Sequence, residues 1–494
     1  MRHPRSSGIL LHPTSLPGPH GIGDLGDAAH AFLGFLAAAG QRVWQILPLG
    51  PVGPGGSPYQ GSSAFAGNPL LISLDMLVAD GLLDGDDPAG LRLAEGRVDF
   101  DQVASRKGAL LEKAAARFLG RGGESLGSAF EEFCREQRAW LDDFALFAAL
   151  RRAHGGVVWT QWEPEIAARS PAAMKRWAER LAGAADQQRV LQFLFFRQWG
   201  TLRRRANALG IRILGDVPMF VAHDSADVWS RRELFRLNGR GEPEVVAGVP
   251  PDAFSVKGQI WGTPLYRWDE MGREGFSWWI DRLRMGLMQA DLVRIDHFIG
   301  FTRCWEVPAD SGTAVAGRWV PSPGDAILRA LADALGGLAI VAEDLGLVIP
   351  EVTDLRDRFG LPGMRVLQFA FADGATSPHL PHNFVPHSVV YTSTHDNDTT
   401  VGWFRSAPEH VRWFARRYVG SDGADIAHDL IRLAMVSVAD TAIIPAQDAL
   451  ALGSEARMNV PGCATGNWSW RLGPDELVPA HAATLRELAE LSGR

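Results

Sequence analysis

At 494 residues the chain is long enough for a large buried core, and with 46% hydrophobic and 21% charged residues it is an ordinary globular sequence, neither disordered nor fibrous. Its formal net charge of −8 argues against nucleic acid as the main partner. Three widely spaced cysteines, Cys134, Cys304 and Cys463, support neither a disulfide framework nor a zinc site and suit a reducing compartment.

From the start of the chain, Met1–Ser7 is basic, but the apolar run Gly8–Leu11 stops at His12-Pro13, too short for a signal-peptide core. No later run approaches the length of a membrane span, so the expectation is a cytoplasmic protein without a membrane partner. Short apolar runs then recur as candidate strands: Gly8–His12, Val43–Leu49, Ile211–Val217, Leu292–His297, Leu338–Asp344, Val366–Phe369, Ser388–Thr394 and Thr441–Gln447. Helical patterns such as Ala28–Ala39, Ser277–Gln289 and Asp325–Leu335 separate several of them. Strands alternating with helices indicate βαβ units and a parallel sheet. Eight such units predict an α/β fold, a (β/α)₈ TIM barrel spanning 1–494 as one catalytic unit.

The spacing is uneven. Residues 70–200, between the second and third strands, read as an inserted, largely helical subdomain, with apolar residues at three- and four-residue spacing over Lys107–Phe118, Ala129–Arg152 and Asp186–Leu209. The densest basic run, Arg203-Arg204-Arg205, reads as the solvated face of the last of these helices. Two irregular stretches, Pro48–Asn68 and Gly248–Pro264, are long loops of the kind that are usually functional or mobile. Gln259 and Trp261 near the tip of the second suit a lid over a polar ligand, although a tryptophan there could equally pack on the protein surface.

Acids gather at strand ends: Asp216 on the third, Asp296 on the fourth, Glu343-Asp344 on the fifth, and Asp396 and Asp398 within His395–Asp398 on the seventh. The carboxyl ends of the strands are where α/β barrels place their chemistry. Arg294 and Asp296, two residues apart, face the same side of a strand. A cation beside a carboxylate favours the ionised form, whereas Glu343, after the apolar Val341-Ala342, would be pushed toward its protonated form by burial. One ionised and one protonated carboxyl group is what glycoside chemistry needs. His297 and His395 could donate to sugar hydroxyls or merely satisfy backbone carbonyls, and the Arg294–Asp296 pair could be an ordinary ion pair.

Three other readings compete. The acids with His395 could hold a divalent ion, but Arg294 would put a positive charge where the cation must sit. Gly21-Ile-Gly23-Asp-Leu-Gly26 fits a dinucleotide-binding pattern, yet the preceding strand ends too early and the next one lacks the ribose-binding acid. No G-x-S-x-G nucleophile elbow supports an α/β-hydrolase.

Longer motifs now bear on the question: Arg5–Pro19, Ser57-Pro-Tyr-Gln60, Ala64–Leu70, Gly248–Pro264, Arg294-Ile-Asp-His-Phe298, Ala342-Glu-Asp-Leu-Gly346, Gly363–Phe369, His395–Thr399 and Gly466-Asn-Trp468. Across nearly the whole chain the sequence resembles the 4-α-glucanotransferases of glycoside hydrolase family 77, the amylomaltases or disproportionating enzymes, in their compact bacterial form. The resemblance implies that Asp296 is the nucleophile, Glu343 the general acid and then base, and Asp396 the third carboxylate. It implies that Arg294, His297, His395 and Asp216 surround the donor sugar. Asp252, Gln259 and Trp261 would belong to a lid at 248–264, Tyr59 and Phe369 would line subsites, and Asn467 would contact substrate. The implied partners are maltooligosaccharides, amylose or glycogen-derived glucans, with glucose as an acceptor, and neither cofactor nor metal is expected. Many members carry arginine where this chain has Ile299. An α-glucan hydrolase and a catalytically silent glucan-binding protein remain the alternatives.

Overall fold

Short β-branched runs pair side by side in the computed structural model, which describes residues 5–91, 93, 96–122, 125–251, 256–346 and 349–494. In chain order the strands among the described residues are β1 Ser6–Leu10, β2 Val43–Gln45, β3 Arg212–Pro218, β4 Val245–Val249, β5 Gln259–Pro264, β6 Leu292–Asp296, β7 Arg303–Pro308, β8 Arg318–Pro321, β9 Ile340–Ala342, β10 Gly363–Val366, β11 Ser388–Tyr391 and β12 Thr441–Pro445.

Eight of them form a closed parallel barrel in the order β1-β12-β11-β10-β9-β6-β3-β2. The predicted (β/α)₈ TIM barrel is therefore the observed fold. Its strands are buried on both faces, which is why they read as apolar runs and not as alternating ones. Gly8 allows the first two strands to meet: a Cβ there would stand 2.1 Å from the Val43 carbonyl oxygen. The seam joins the two ends of the sequence, pairing Ser6–Leu10 with Thr441–Pro445. Beneath it Arg5 donates to the carbonyls of Ser437 and Ala439, and Arg494 donates to those of Ser6 and Ala439.

The sixth barrel strand lies three residues earlier than the sequence reading. It is Gly363–Val366, and Leu367–Phe369 is a 3₁₀ turn beyond it. Glycine and arginine weaken the local β pattern, but packing requires the glycine. A Cβ at Gly363 would meet the Asp344 carboxylate at 2.4 Å, and the next residue, Met364, donates its N–H to that carboxylate at 2.6 Å.

Between β2 and β3 the described residues are mainly helical, including Phe100–Arg117, Gly127–Glu136, Arg138–Ala153 and Ala182–Ala208. The single helix read over Ala129–Arg152 is two, broken at Gln137, whose side chain accepts from Trp140 Nε1 at 2.9 Å. The stretch read as a loop from Gly248 to Pro264 holds the end of β4 and the whole of β5, antiparallel partners in a small sheet ordered β5-β4-β7-β8. Its Gly and Pro residues hid the strands. No helix among the described residues is long and apolar enough to cross a membrane.

Candidate active site

Each barrel strand delivers its last residues to the same rim, and the third and sixth strands in chain order do so in register, with Asp216 opposite Arg294 and Pro218 opposite Asp296. The Arg294 guanidinium, nearly fully buried, joins the acids. It donates from Nε to Asp216 Oδ1 at 3.2 Å, from Nη2 to Asp216 Oδ2 at 2.7 Å, and from Nη2 to Asp296 Oδ1 at 2.8 Å. A fork-shaped donor is the group that can hold one carboxylate at two points and still reach another. Burial pushes Asp216 above the usual carboxylate range, with Arg294 pulling the other way.

Tyr59 enters from the loop after β2 and completes this network. Its hydroxyl donates to Asp216 Oδ2 at 2.6 Å and lies 2.9 Å from His395 Nε2 and 3.2 Å from Arg294 Nη2. A phenol has one proton, and here it goes to Asp216, so both Arg294 and His395 donate to the phenol oxygen. That assigns the proton of His395 to Nε2. The Tyr59 ring stacks on His395 with centroids 5.2 Å apart. The same loop is tied down where the Ala64 N–H donates to Asp227 at 2.8 Å and the Ala226 N–H donates to the Ser62 carbonyl at 2.9 Å.

Glu343 follows β9. Its Oε2 accepts the His297 N–H at 2.6 Å. Burial pushes its carboxyl group well above the ordinary range, and the negative charge of Asp296 adds to the effect. His297 has φ 55°, a left-handed backbone that histidine adopts more readily than most residues, and this turn aims its N–H at Glu343. Burial lowers its pKa to about 4, so its ring is neutral at physiological pH. Its Nε2 is buried without a partner among the described residues. Trp261 packs edge-on against it, ring centroids 4.8 Å apart, and donates from Nε1 to Gln259 Oε1 at 3.3 Å.

At the end of β11, His395 Nε2 stands 3.4 Å from Asp396 Oδ2, and Asn459 donates to Asp396 Oδ1 at 2.6 Å. The barrel rim thus gathers Tyr59, Asp216, Arg294, Asp296, His297, Glu343, His395 and Asp396, with Gln259 and Trp261 at its edge. Phe369 lies in the turn beyond β10, against His379. The Asn467 amide bridges the Val460 N–H and the Cys463 carbonyl within its own loop. Asp252 lies outside the described residues. Two acids from the same strand ends serve the scaffold. Asp344 takes Arg356 and the Met364 N–H, and Asp398 takes Ser454 Oγ and the Thr399 N–H.

Three neighbours escaped the sequence reading. Asn459 is one. Trp468 is another, its ring centroid 5.5 Å from Tyr59 and 5.9 Å from His395. The third is His12, which burial and the neighbouring His395 hold neutral, its pKa lowered to about 3. The His-Pro after the first strand and the Asn-Trp near the end were visible as motifs, but nothing in their spacing linked them to Asp396.

A family model described as 4-alpha-glucanotransferase matches residues 11–476. The chain belongs to the 4-alpha-glucanotransferase family. Among its relatives, the 4-alpha-glucanotransferase of Thermus thermophilus is 51% identical over 502 residues, covering 100% of each chain. That of Synechocystis is 50% identical, covering 99% of this chain and 98% of the relative. The solved structure of an amylomaltase from Streptococcus agalactiae in complex with acarbose superposes with a TM-score of 0.96 at 36% identity, covering 99% of each chain. Ile299, the position singled out in the sequence as a departure, is buried in the hydrophobic core.

Proposed function

We propose that this chain transfers α-1,4-glucan segments from a donor maltooligosaccharide to the 4-hydroxyl of an acceptor glucan or of glucose, by a retaining double displacement. The observation that carries the reading is the contrast between two neighbouring carboxyl groups. Asp296 accepts a hydrogen bond from a buried arginine, while burial and the neighbouring charge of Asp296 push the Glu343 carboxyl group toward its protonated form. Asp296 attacks the anomeric carbon of the donor, and the bond to the glycosidic oxygen breaks as Glu343 gives that oxygen its proton. In the second half Glu343 takes the proton of the acceptor's 4-hydroxyl, whose oxygen displaces Asp296 from the anomeric carbon. Asp396, His395, Arg294 and Asp216 hold the donor sugar. The unpartnered Nε2 of His297, on the ring that Trp261 packs against, suits a sugar hydroxyl. Tyr59 and Phe369 line subsites, Asn467 contacts substrate, and Asp252 belongs to the covering loop. Helical residues 70–200 form an insertion that flanks a single barrel.

Transfer outruns hydrolysis only if a sugar hydroxyl reaches the intermediate before water does. The lid role expected of the 248–264 loop is carried by residues 256–264, which exclude water where Trp261 packs on His297. Incubation of the purified protein with maltotriose tests both claims. Transfer yields glucose plus a ladder of longer chains at a constant number of reducing ends. Rising reducing ends without longer chains would make the protein a hydrolase, and no change in either would make it a binding protein. Trp261→Ala is expected to raise the share of hydrolysis several-fold, and an unchanged ratio would remove the lid from the account.

A further inference from the structure

The segment 457–468 returns after β12 and runs beside His395-Asp396. The Asn459 N–H donates to the His395 carbonyl at 3.1 Å, and Arg457 Nη2 donates to the Asp396 carbonyl at 2.7 Å. Arg457 Nε also donates to the Asn459 carbonyl at 2.7 Å, which ties the two strands of contact together. Onto this backbone clamp falls the short bond from Asn459 Nδ2 to Asp396 Oδ1, at 2.6 Å. His395 has its Nε2 proton committed to the Tyr59 oxygen at 2.9 Å and lies 3.4 Å from Asp396 Oδ2. Among the described residues, Asn459 is the one side chain that hydrogen-bonds the Asp396 carboxylate.

We infer that Asn459 is a positioning residue for Asp396. Its amide fixes the carboxylate's rotation and occupies one oxygen, so that Oδ2 is presented to the donor sugar. The inference rests on the reading of Asp396 as a group that binds that sugar. A donor is required here for a chemical reason: a carboxylate accepts only, and a second carboxylate at this distance would repel it unless the two shared a proton.

The test compares pH profiles of kcat and KM for maltotriose disproportionation in Asn459→Ala, Asn459→Asp and Asp396→Asn, each checked for folding by circular dichroism and thermal melting. Asn459→Ala is expected to lose kcat roughly 10- to 100-fold, with KM nearly unchanged and the wild-type profile shape retained. Asn459→Asp is nearly isosteric and keeps the clamp. It should work only while the pair retains one proton, so its activity should fall on the alkaline side where the wild type remains active, moving the optimum to lower pH. A purely structural Asn459 would give both variants profiles of wild-type shape. Loss of activity in Asp396→Asn together with a wild-type profile in Asn459→Asp would overturn the positioning role alone. Near-wild-type turnover by Asp396→Asn would overturn the reading of Asp396 and the positioning role with it.

Discussion

Replacing Asp296 by asparagine should lower transfer by about 10⁴-fold or more, the scale seen when a covalent nucleophile is removed. The fold should survive the change. Asparagine has the same shape, and its side-chain oxygen can still accept from Arg294 Nη2, now at 2.8 Å from Asp296 Oδ1. Arg294 also keeps its two bonds to Asp216, at 3.2 and 2.7 Å, so no buried charge is left without a partner. The measurement is the initial rate of glucose release from maltotriose beside a thermal melt. Activity within tenfold of wild type in a folded variant would sink the nucleophile assignment.

Glu343→Gln is expected to cost about 10²- to 10⁴-fold with maltotriose, because the leaving hydroxyl then departs without a proton. The glutamine oxygen can still accept the His297 N–H, at 2.6 Å from the present carboxylate, so the turn should hold. An α-maltosyl fluoride donor separates the two halves of the reaction, since fluoride leaves without protonation. With it the variant should form the intermediate at a nearly normal rate and then stall, for want of a base to activate the acceptor. Mass spectrometry should find the chain heavier by one maltosyl group, attached at Asp296. A pH signature accompanies this. Burial and the Asp296 charge raise the Glu343 pKa, so the wild-type rate is sustained at neutral pH and falls as pH rises through that raised value. That alkaline limb should vanish in the variant's reaction with the fluoride. No adduct, or an alkaline limb that persists, would contradict the acid–base role.

Much of this site could be read from the sequence because barrel strands are short and buried, and an acid that ends such a run must emerge at one rim. Asp216, Asp296, Glu343 and Asp396 share that property. So do Asp344 and Asp398, which the sequence could not tell apart from them. What sets Asp344 and Asp398 apart is that their bonds go to the scaffold, Arg356 and the Met364 N–H for Asp344 and Ser454 and the Thr399 N–H for Asp398, and no local pattern foretells those contacts. Tyr59, Trp468 and Asn459 come from irregular loops, where no period constrains direction and only the path of the folded backbone decides what a side chain meets. The misplaced strand β10 and the hidden hairpin β4–β5 have one cause. Glycine weakens the local β pattern at positions where the fold uses it, or tolerates it, inside a ladder.

The seam between the first and last strands has a consequence for how the protein is made. Until Thr441–Pro445 has been synthesised, β1 and β11 each present a row of unpaired backbone groups, and the loop that steadies Asp396 does not yet exist. Nearly nine-tenths of the chain must therefore leave the ribosome before either edge can be covered. Pairing across so much sequence carries a high contact order and so a slow closing step. Until then the barrel is an open sheet, and catalytic competence arrives only with its last strand and the loop that follows.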